Sequence, residues 1–103
     1  MRLEHESEEK LKKDIVRIIG SHVPLNGHRV FFFGSRVAGT NSERSDIDVG
    51  IEGKEPIPWR VMADIEDDIE NLPTLYKIEV VDFVRTAKKF REVALRHREI
   101  ISP

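Results

Sequence analysis

Residues 31–53 read FFFGSRVAGTNSERSDIDVGIEG. An apolar run ends in a Gly-Ser turn, a polar loop follows, and two aspartates separated by one isoleucine then open a second strand-like run. Val30 to Phe33 carry no polar side chain, the pattern of a central strand covered on both faces. SDIDVGIE instead alternates, with Ile47, Val49 and Ile51 on one face and Asp46, Asp48 and Gly50 on the other. That alternation predicts a strand whose second face is open and acidic, and a short helix through SRVAG fits between the two strands.

Working outward, SEEKLKKDIVRIIGSH places Leu11, Ile15, Ile18 and Ile19 at helical spacing, with Ser7 as N-cap and Gly20 as stop. Pro56 and Pro58 introduce WRVMADIEDDIENL, where Met62, Ile65, Ile69 and Leu72 predict a second amphipathic helix, ended by Pro73. YKIEVVDFV reads as a further strand, and TAKKFREVALRHREII as a closing helix with Phe90, Val93, Ala94 and Ile101 in a stripe. The expected order is helix, strand, strand, helix, strand, helix. No repeat or linker interrupts it, so residues 1–103 are expected to form a single domain.

The totals narrow the possibilities. Of the 103 residues 39% are hydrophobic and 35% charged, which suits a water-exposed globular domain with one core. The net charge of -2 removes the electrostatic basis for direct nucleic-acid binding. Cysteine is absent, which excludes disulfides and thiolate metal sites. No apolar stretch has the length of a membrane span or the makeup of a signal peptide, so a cytoplasmic location is expected. His22, His28 and His97 lack metal-ligand spacing.

The chemistry gathers at the opening stretch. Asp46 and Asp48, two apart on a strand, project from one face with origins about 7 Å apart. Their mutual repulsion should raise at least one pKa, and Mg²⁺ or Mn²⁺ would relieve it. Asp82 can join the pair if its strand lies alongside, and three carboxylates can hold two metals roughly 3.5–4 Å apart. Taken singly, each aspartate equally suits a strand end. At Gly34 the backbone can approach a ligand closely, and Ser35 adds a hydroxyl and a free N–H at a helix start, a combination that favours phosphate. Arg36 and Arg44 could contact a polyphosphate, though each singly suits a solvated surface charge, and Ser45, directly before the aspartates, equally suits a strand entry.

Gly34-Ser35 followed by Asp46-Ile47-Asp48 resembles the signature of the DNA polymerase beta superfamily of nucleotidyltransferases, and within it the minimal nucleotidyltransferases, the MNT proteins paired with HEPN toxins. The resemblance implies the nucleotidyltransferase fold, an α/β (α+β) domain with a small mixed sheet of three to four strands flanked by helices. It implies that Gly34, Ser35, Arg36 and Ser45 bind the nucleotide. Asp46, Asp48 and Asp82 would be the catalytic, metal-binding triad, with Asp82 helping to activate the acceptor. The implied reaction is attack by an acceptor hydroxyl on the α-phosphate of a nucleoside triphosphate, ATP by preference, with pyrophosphate leaving and two Mg²⁺ or Mn²⁺ ions assisting. The implied acceptor is a HEPN-domain partner, silenced by adenylylation in a toxin–antitoxin pair. Two alternatives stand beside it: an antitoxin that neutralises a HEPN ribonuclease by contact alone, and a transferase acting on a small molecule.

Overall fold

The computed structural model describes residues 3, 7–39 and 46–103. Its elements follow in the order α1 (Glu8–Gly20), β1 (Arg29–Phe33), α2 (Ser35–Ala38), β2 (Ile47–Glu52), α3 (Trp59–Glu70), β3 (Ile78–Asp82), α4 (Lys88–Ala94) and β4 (Arg98–Ile100). The strands make one four-stranded mixed sheet in the order β3-β2-β1-β4. β2 and β4 run antiparallel to β1, while β3 runs parallel to β2 after the α3 crossover.

Strand parity sorts the side chains onto two faces. One carries Val30, Phe32, Ile47, Val49 and Ile51, and α1 and α3 cover it with Leu11, Ile15, Ile19, Met62, Ile65 and Ile69. The helices form because their apolar residues recur at three and four, and the Ser7 hydroxyl caps α1 by accepting from the Lys10 N–H. The opposite face is only partly covered. There Phe83 packs edge to face against both Phe31 and Phe33, with the Phe31 and Phe83 ring centroids 4.8 Å apart, and Ala94 and Leu95 lie against them. Gly50 leaves room for these rings: a Cβ there would lie 2.5 Å from Phe31 Cε2.

One expected element is corrected. TAKKFREVALRHREII is not a single helix, since α4 stops at Ala94 and Arg98–Ile100 form β4. The helical stripe is outcompeted by the open edge of β1, which needs partners for its backbone groups and finds them in the register Phe31↔Ile100 and Phe33↔Arg98. Lys12 on α1 ties down the new strand through Glu99 at 2.6 Å. No helix among the described residues is long and apolar enough to cross a membrane.

Candidate functional site

The site starts where β1 ends. Phe33 is the register partner of Asp48, so the residue after Phe33 sits beside the β2 carboxylate. That residue is Gly34, with a φ of 86° that side chains other than glycine's rarely permit. A Cβ on it would lie 3.2 Å from Asp48 Cγ and closer still to Oδ2. The turn into α2 and the first strand carboxylate thus share one space, open at the backbone because position 34 is glycine. Ser35 is the first residue of α2.

Asp46 stands just ahead of β2, whose entry is fixed by the Ile47 N–H donating to the Lys77 carbonyl at 2.9 Å. Asp48 lies opposite Glu79 in the parallel β2–β3 register, which puts their side chains on the same face. The half-buried Asp48 carboxyl is held above the usual carboxylate range, first by burial and then by the charges of Glu79 and Asp46. A hard divalent cation suits this all-oxygen donor set and would offset the repulsion. Among the described residues no three such groups are already gathered closely enough to hold a metal. A cation would have to draw Asp46, Asp48 and Glu79 inward.

Asp82 does not join them. Its strand does lie beside β2, but the register sets Asp82 against Ile51, three residues past Asp48, and on the helix-covered face. There it is 6% exposed and fully engaged. Its Oδ2 accepts from the Ile57 N–H at 2.8 Å, its Oδ1 accepts from the Val84 N–H at 3.2 Å, and Arg85 Nε stands 3.5 Å away. Arg85 also donates to the Ile57 carbonyl at 3.0 Å. Asp82 therefore anchors the segment leading into α3. The carboxylate that the sheet does bring to Asp48 is Glu79. In KIEVVD the parity signal was present, because Ile78, Val80 and Asp82 fall on the apolar phase while Lys77 and Glu79 fall on the polar one.

Arg36 is buried and lies over the Tyr76 ring, 4.9 Å from its centroid. Ser45 and Arg44 lie outside the described residues. The histidines take structural positions where partners are seen: His22 Nε2 contacts Asp68 Oδ2 at 2.7 Å, and His28 Nδ1 donates to the Pro24 carbonyl at 2.8 Å.

Comparison with known proteins bears on this geometry. The family described as Polymerase beta, Nucleotidyltransferase matches residues 13–102. The chain is 27% identical over 66 residues to a probable protein adenylyltransferase, MntA, of Haemophilus influenzae, a match covering 64% of this chain and 58% of that protein. It thus spans less than two thirds of that relative's length. Among solved structures, a toxin–antitoxin complex with AMP-PNP matches at a TM-score of 0.71 and 14% identity, over 87% of this chain and 71% of the other. A tri-AMPylated Shewanella oneidensis HEPN toxin in complex with MNT antitoxin matches at a TM-score of 0.71 and 10% identity, over 92% and 71% respectively. At such identities the likeness is one of fold.

Proposed function

The chain belongs to the polymerase beta nucleotidyltransferase family, and from that premise we propose that it transfers AMP from ATP to a hydroxyl of a partner protein, a HEPN-type toxin. The observation that carries this reading is the close approach of Gly34 to the Asp48 carboxylate, which sets a side-chain-free turn suited to a phosphate directly beside a carboxylate suited to a cation. The probable protein adenylyltransferase among its relatives, and the HEPN toxin in AMPylated form beside an MNT antitoxin among its structural neighbours, support the acceptor class.

In this reading the Gly34-Ser35 turn holds the triphosphate, and Asp46 and Asp48 would bind Mg²⁺ or Mn²⁺. A divalent ion there supplies charge neutralisation on the phosphorus oxygens. The acceptor oxygen attacks the α-phosphorus, an O–P bond forms, the bond to the bridging oxygen of the β-phosphate breaks, and pyrophosphate leaves. Glu79, exposed on the same face, replaces Asp82 as the carboxylate that takes the acceptor proton. Burial of Asp48 beside two other carboxylates favours cation uptake over three free charges.

The test is to incubate the purified chain with the protein encoded by its neighbouring gene, Mg²⁺ and adenine-labelled ATP. Label on the partner with wild type and none with Asp46→Ala/Asp48→Ala supports transfer. Equal neutralisation of the partner by both proteins, with no label in either case, replaces transfer by binding alone.

A further inference from the structure

β3 is an edge strand, and its outer side faces a groove of about 450 Å³ shared with the end of α3. The Ile47 N–H donating to the Lys77 carbonyl sets the ladder phase: Lys77, Glu79 and Val81 direct their backbone groups to β2, so Ile78 and Val80 direct theirs outward. Among the described residues no backbone partner meets Ile78 or Val80 from outside the sheet. An unpaired edge of this kind is a template for another strand.

The groove has a chemical character as well as a shape. Glu66 and Glu70 line its α3 side with carboxylates over Ile78 and Val80, while Lys77, Glu79 and Val81 line the side that faces Asp48. Glu79 belongs both to this groove and to the carboxylate face at Asp48. A chain laid along β3 therefore passes directly beside the candidate site.

We propose that the acceptor is presented as an extended, basic segment that adds to the outer edge of β3 as a further strand, pairing with Ile78 and Val80 and delivering its hydroxyl side chain past Glu79. Glu66 and Glu70 select Lys and Arg on the side of the incoming segment that meets α3, and the alternate residues, the hydroxyl-bearing one among them, meet Val81 and Glu79 on the other side. This rests on the transfer reading for its purpose but not for its detection, since strand addition requires neither ATP nor cation.

The probe is the synthetic peptide Arg-Val-Arg-Tyr-Arg-Val-Arg, with a version N-methylated at alternate residues as control, added to the full chain without nucleotide. Amide exchange at Ile78 and Val80 is expected to slow by about tenfold or more with the first peptide and to stay unchanged with the second. Glu66→Lys/Glu70→Lys, both on the surface of α3, should abolish that protection while leaving exchange in β1 as in wild type. Val80→Pro, which removes one outward N–H, should weaken it independently. Equal protection by both peptides, or none at β3, overturns the proposal. Protection that grows with protein concentration and needs no peptide assigns the edge to a second copy instead. Protection without label transfer to the peptide's tyrosine in the presence of Mg²⁺ and ATP would keep the docking edge and count against the transfer reading.

Discussion

The α-carbon of Gly34 abuts the carboxylate of Asp48 so closely that a methyl group at position 34 would lie 3.2 Å from Asp48 Cγ, and the φ of 86° at Gly34 independently disfavours any side chain there. Two separate requirements thus coincide at one residue. The left-handed backbone turns the chain from β1 into α2, and the missing side chain leaves the carboxylate accessible.

Gly34→Ala should therefore do two things. The left-handed backbone alone costs the folded state about 1–2 kcal/mol, read as a lower midpoint in urea denaturation. Displacement of the Asp48 carboxylate should lower transfer by roughly 10²-fold, because misplacement by an ångström at a reacting centre has that scale of effect. Loss of stability with unchanged transfer would separate the turn from the site.

Asp48 makes a prediction about pH with a definite sign. Its pKa in the folded chain is raised, by burial and by Glu79 and Asp46, above its value when unfolded. The folded state then holds the extra proton more tightly, and stability falls as pH rises through the window between the two values. Without divalent cation, Asp48→Asn should be more stable than wild type at neutral pH, and the difference should vanish once the pH drops below the ordinary carboxylate range. Thermal melts at pH 7 and pH 3, in EDTA, check both halves. Added Mg²⁺ should stabilise wild type and not the variant.

Glu79 and Asp82 lie on the same strand and should behave oppositely. Glu79→Gln should leave the melting temperature within a degree or two, since the side chain is exposed, yet lower transfer by roughly 10²-fold or more. Asp82→Ala should destabilise by about 1–3 kcal/mol by stranding the Ile57 and Val84 N–H groups, with the KM for ATP little changed. The reverse pattern would return Asp82 to the reacting centre.

That contrast also marks where sequence reading reached its limit. The Gly34 turn, the face-splitting of β2 and the central place of β1 follow from local composition and period-two alternation, all encoded within a few residues. Which carboxylate of KIEVVD meets Asp48 depends on cross-strand register, a long-range property. Asp82 is the aspartate that the family resemblance points to in this strand, whereas Ile78 and Val80 set the apolar phase to which it belongs. The tail failed for a related reason. Phe90, Val93 and Ala94 do form a helix, but Ile101, at the end of the same stripe, packs into the helix-covered core because its chain has become a strand beside β1. The unpaired edge that captures it cannot be read from the tail itself.

In the proposed reaction Asp46, Asp48 and the Gly34 turn direct attack to the α-phosphate. Parallel reactions with ATP labelled at the α- or the γ-phosphate, in Mg²⁺ with the neighbouring gene's protein as acceptor, test it most directly. The expected result is α-label on the acceptor, γ-label released as pyrophosphate, and neither event with EDTA or with Asp46→Ala/Asp48→Ala. Appearance of γ-label on the acceptor, or α-label transfer undiminished in the double variant, would contradict it.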